Sequence, residues 1–166
     1  MALQKVVNVT PALGVPGSAA AFMGEVSTVH QYLSDGTAKA GSFALPSAAD
    51  VNTYGSAVGG GVVGLANASA TAAIGLVVRT ITGTLAPNVD ASLVYEKGAA
   101  VTVAIRGDFY IAATESATVG KKVIVTVATG AISFASSASS GEIDTGWTVT
   151  TPASASGDII VISNHG

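Results

Sequence analysis

Val101, Val103 and Ile105 alternate with Thr102 and Ala104, and Val123, Val125 and Val127 alternate with Ile124 and Thr126. A period of two sends one set of side chains into a core and the other set outward, which a strand satisfies and a helix does not. Gly107-Asp108, Gly120 and Thr129-Gly130 fall where turns between such strands are expected. Residues Val101 to Phe134 therefore predict a run of antiparallel strands. The run holds no evident catalytic group, so function has to be sought on surfaces.

The remaining chain is read against that run. Pro11, Gly14, Pro16, Gly17 and Gly24 punctuate residues 1–24. Proline fixes φ and removes a donor, which excludes a helix or a central strand there. The segment predicts an extended N-terminal arm carrying Leu3, Val6, Val7, Val9, Leu13 and Val15. Such an arm either lies across its own domain or reaches over a neighbour, and these six residues are its candidate contacts. Residues 25–166 predict a single β-rich domain. Ser34-Asp35-Gly36-Thr37 marks a turn between a strand through Val26, Val29, Tyr32 and Leu33 and a strand over Gly41–Pro46. One short helical turn is expected from Ser47 to Asp50.

Residues 55–78 carry no charge, and length alone would suit a membrane span. Gly55, Gly59, Gly60, Gly61, Gly64 and Gly75 argue against it, since each costs a helix about 1 kcal/mol relative to Ala. No aromatic or basic anchors flank the segment. A flexible Gly/Ala-rich loop near 55–72 is expected, then a strand over Ala73–Thr80 extended by Ile81–Leu85 and ended by Ala86-Pro87-Asn88. Ala135–Gly141 predicts a low-complexity loop. Strands follow at Ile143–Thr150 and Asp158–Ser163, the latter so continuously apolar that both of its faces need cover. The expected fold is all-β, an antiparallel β-sandwich of jelly-roll type or a β-barrel.

Composition turns this fold toward assembly. Only 17 of 166 side chains are Lys, Arg, Asp or Glu, and mean hydropathy is +0.57. A monomer of this mass exposes roughly 7,000 Å², which so few charges cannot cover. A surface of Ser, Thr, Gly, Ala and apolar atoms suits coverage by another protein. The net charge of −3, with basic residues scattered, points to no nucleic acid and no membrane surface as partner. Absence of cysteine removes disulfides, thiolate chemistry and most structural zinc sites. The N-terminal sequence lacks the apolar core of a secretion signal, so synthesis in the cytoplasm is expected.

Several motifs reduce to ordinary structure. Gly59-Gly60-Gly61-Val62-Val63-Gly64 matches a dinucleotide fingerprint by letter, but no good strand precedes it and no good helix follows. Arg106-Gly107-Asp108 spells an integrin-type tripeptide at a presumed strand break, where Gly-Asp is turn chemistry. His30 and His165 are the only imidazoles, and nothing marks a serine or carboxylate as their partner in a triad. Glu142/Asp144 and Asp108/Glu115 could serve calcium or acid–base work but flank presumed turns. Asn67-Ala68-Ser69 spells a glycosylation sequon without a secretion signal to give it meaning. No catalytic residue, metal or cofactor is assigned, and the chain is read as a non-enzyme. Trp147, the lone tryptophan, is expected in the core.

Val9-Thr-Pro11-Ala-Leu-Gly14-Val15-Pro16-Gly17, Leu33-Ser-Asp35-Gly36-Thr37 with Ala40-Gly41, Val101–Phe134, and Asp144-Thr145-Gly146-Trp147 followed by Ile159–Asn164 form a succession of turns and strands. In it the chain resembles the structural cement (decoration) proteins of tailed-bacteriophage capsids. The resemblance implies a jelly-roll-like protein on the outer surface of the virion. Its partners would be the major capsid protein and itself, as a homodimer first and a homotrimer second, with no catalytic residues. Other classes that fit are a tail or baseplate adaptor or fibre domain, and a carbohydrate-binding sandwich using Trp147 and Tyr110.

Overall fold

A computed structural model describes residues 14–20, 26–47, 61–80 and 93–165, and every regular element among them is a strand. The strands are β1 (Ser27–Ser34), β2 (Phe43–Pro46), β3 (Val62–Gly64), β4 (Gly75–Val77), β5 (Ala100–Ala112), β6 (Lys122–Thr126), β7 (Ile132–Ala135), β8 (Glu142–Val149) and β9 (Ile159–Asn164). The all-β reading of the sequence is correct.

The first five strands close on themselves. β1 pairs in parallel with β3, β3 antiparallel with β2, β2 with β4, β4 with β5, and β5 returns to β1 through Val29↔Val103 and Leu33↔Ala100. Ala44, Val63, Val77, Val101 and Val103 come from four of these strands and pack together with Tyr95 and the half-buried Tyr32 of β1. All five walls thus contribute to one filling, which makes the ring a small barrel packed by its own side chains.

The second half of β5 belongs to another sheet, in the order β5-β9-β8-β6-β7. Its buried face carries Phe109, Ile111, Val123, Val125, Trp147, Val149, Ile160 and Ile162. Phe43, Leu45, Leu76 and Ala104 join this larger core from the outside of the barrel. On β2 and β4 consecutive residues therefore feed different cores: Phe43 one and Ala44 the other, Leu76 one and Val77 the other. These strands are buried on both faces and form the wall between the two cores. Trp147 sits edge-on to Phe43 at 6.1 Å and to Phe109 at 5.9 Å, and is 1% exposed.

Three expectations change. The Gly107-Asp108 pair is not a turn, because β5 runs unbroken from Ala100 to Ala112. It is a bend: up to Arg106 the strand pairs with β1, and from Gly107 it pairs with β9. Gly107 has φ +126°, and a Cβ there would stand 3.1 Å from both the Phe109 ring and a Val26 methyl. Ile105 does not continue the inward row of Val101 and Val103 but is 42% exposed, just before the bend. Val62–Gly64, inside the Gly/Ala-rich stretch, is the buried strand β3. Gly64 faces Asp35, whose carboxylate would lie 2.1 Å from any added Cβ and accepts hydrogen bonds from Thr37 N–H, Thr37 Oγ1 and Ser47 Oγ. The helical turn expected at 47–50 and the strand extension at 81–85 fall, beyond Ser47, outside the described residues.

The β7 rim of the second sheet is covered by the chain itself. At β7, Phe134 N–H donates to the Glu115 carboxylate and Ile132 C=O accepts from Thr114 Oγ1. Val161 of β9 is 6% exposed; its N–H donates to Thr151 Oγ1 and its C=O accepts from Thr150 N–H.

Candidate interaction surface

The chain enters the described fold at Gly14, which packs against the Tyr110 ring. Residues Val15–Ser18 make a tight turn, closed by Ser18 N–H to Val15 C=O at 2.9 Å and by Ser18 Oγ to the same carbonyl at 2.6 Å. The segment then runs antiparallel to β5. Gly17 N–H donates to Tyr110 C=O, Tyr110 N–H to Ser18 C=O, and Ala20 N–H to Asp108 C=O. Arg79 N–H donates to Gly17 C=O, tying the same segment to the end of β4. This segment, the root of the arm expected from the sequence, is thus pinned at the junction of barrel and sheet.

Of the six candidate contact residues, Val15 is described: it lies at this turn and is 38% exposed. Leu3, Val6, Val7, Val9 and Leu13 lie outside the described residues. The structure adds exposed apolar side chains that the alternation pattern assigned elsewhere or passed over: Ile105, Val26 beside the β5 bend, and Val119 in the turn before β6. Beside the arm root lies an open groove of about 590 Å³, walled by Pro16, Gly41 and Ser42 on one side, the end of β5 at Ala112–Thr114, and Thr129–Ile132 opposite. Lys39 is the one charged residue on its described lining. No single sequence segment announces this groove, because its walls come from seven separate parts of the chain.

Several of the titratable groups on the described residues take part in bonds within the fold. Asp108 sits 3.0 Å from His165 Nε2; burial raises its pKa, but the hydrogen bonds from Ser163 and His165 and the imidazole's charge outweigh that and hold it below the ordinary carboxylate value. Arg106 Nη2 donates to His165 C=O, and Asn164 Nδ2 to Ile105 C=O, so the chain end is fastened across the bend of β5. Asp144 is lowered by the hydrogen bond from Lys122 Nζ and by Gly146 N–H. Glu115 and Glu142 accept from Phe134 N–H and Ser139 N–H. Asp108 and Glu115, Glu142 and Asp144 are therefore spoken for singly. Among the described residues no three His, Asp or Glu converge as metal ligands. Arg106-Gly107-Asp108 lies within a strand rather than at a loop tip. Trp147 is enclosed, and Gly14 packs against the ring of the half-buried Tyr110. Among the described residues no helix is long and apolar enough to cross a membrane. What the molecule offers is contact surface.

The family model described as XM1 gp53 minor capsid protein matches residues 3–164. The chain belongs to that family. It is accordingly a phage capsid-associated structural protein of the virion, and its place is among other capsid components. A solved structure titled "The capsid of Myoviridae Phage XM1" contains a chain with the same fold at TM-score 0.59 and 16% identity, covering 98% of this chain and 97% of that one. No curated protein matches the chain.

Proposed function

We propose that the protein is a structural cement (decoration) protein. It binds the outer surface of the capsid and stabilises joints between major capsid protein subunits, after synthesis in the host cytoplasm. The observation that carries this reading is the arm root. Three backbone hydrogen bonds join Gly17–Ala20 to β5, and β5 is the strand common to barrel and sheet. A pull on residues 1–13 is therefore delivered to both cores rather than to a surface loop. That is the mechanical property a clamp between subunits needs.

In this reading Leu3, Val6, Val7, Val9, Leu13 and Val15 supply strand-like or apolar contacts to a neighbour. A stable contact buries about 800 Å² per partner, and weaker ones repeated around a closed shell gain through effective concentration. The sparsely charged domain pairs with a second copy about a two-fold axis, a trimer being the other closed arrangement. Removing residues 1–13 leaves the Gly17–Ala20 root intact. It is expected to release the protein from capsids and lower the temperature at which capsids disrupt, read by sedimentation and light scattering. Unchanged retention and heat tolerance would overturn the assignment of the arm.

A further inference from the structure

We infer that the groove beside the arm root receives, by strand addition to Ala112, the N-terminal residues of a second copy of this chain; this rests on the arm reading above. The ladder on this edge of β5 stops one step early. Odd-numbered residues face β9, as Ala113 N–H to Asp158 C=O and Gly157 N–H to Ala113 C=O show. Asp108 and Tyr110 face the other way and bond the arm root. Ala112, next in that series, turns its N–H and C=O into the groove, where no described residue takes them up. Strand edges of this kind are templates for an added strand.

The chain's own root does not continue the ladder. Pro16 has no N–H to give. Val15 spends its N–H on Ser18 Oγ and its C=O on Ser18, and Gly14 turns back over Tyr110. The slot is thus closed to its own arm in register and open to another chain. Residues 5–10, Lys-Val-Val-Asn-Val-Thr, are rich in β-branched residues suited to such an edge, and the groove walls are small or apolar apart from Lys39. Thirteen residues precede Gly14; extended, they reach about 43 Å, well beyond a domain radius of gyration of about 15 Å.

The chain has no cysteine of its own, so introduced thiols report cleanly. Capsids are loaded with equal amounts of an Ala131→Cys chain and a chain carrying Val6→Cys, Val7→Cys or Val9→Cys, then oxidised with diamide. An interchain disulfide between arm and groove is expected for at least one arm position, and Ala131→Trp is expected to lower capsid heat tolerance as much as removing residues 1–13 while leaving the free protein's own melting temperature unchanged. Absence of the disulfide at all three positions overturns the inference. So does an intrachain disulfide in chains carrying both substitutions, which would mean that each arm fills its own groove. If arm removal still releases the protein in either case, the cement reading stands and only the receiving site is wrong. If arm removal has no effect, both fall.

Discussion

Trp147 fills the centre of the larger core, edge-on to Phe43 from the barrel and Phe109 from the sheet. Trp147→Ala leaves a cavity between two units that cannot both collapse into it, and is expected to cost about 3–5 kcal/mol, read as a lower urea midpoint; Trp147→Phe should cost less. The carboxylates act in a different window. Asp108 and Asp144 have folded-state pKa values below the ordinary range, so the unfolded chain binds more protons as acid is added. Their stabilisation is complete above the unfolded value of about 4 and is lost as pH falls through the folded one. The melting temperature is expected to drop below about pH 4, and Asp108→Asn should flatten that acid limb in circular dichroism melts.

At the scale of elements β5 governs the fold, and the bend at Gly107 lets one strand serve both sheets. A side chain at φ +126° is strained and would press on Phe109 and Val26. Gly107→Ala is therefore expected to destabilise by about 1–3 kcal/mol, measured by chemical denaturation, with the spectrum of the native state retained. The alternation in Val101–Val103 and Val123–Val127 made these strands legible from sequence. The bend was not, because Gly-Asp carries the same local signal whether a strand stops or turns a corner while pairing continues. Likewise Ile105 keeps the alternation of a core residue, yet it is exposed just before the strand changes partner at residue 107. β3 was hidden for another reason: Val62–Gly64 is short and glycine-flanked, and its burial comes from neighbours β1 and β2 rather than from its own pattern.

For the whole molecule, class and role were legible where the residue types decide them. The strand period of Val101–Phe134 points to a β-protein and the seventeen charged residues to an assembly component, and the family match agrees with a place in the capsid. The barrel closure was not legible, since parallel β1–β3 pairing and the return of β1 to β5 are non-local. Nor was the groove, assembled from distant loops and the arm root. One further consequence follows from the capping of β7 by Thr114 and Glu115. Crowding many β-rich molecules onto one particle invites them to zip edge to edge into fibres. Thr114 and Glu115, bonding Ile132 C=O and Phe134 N–H of the outermost strand from within the same molecule, withhold two of the hydrogen-bonding groups that such growth would need.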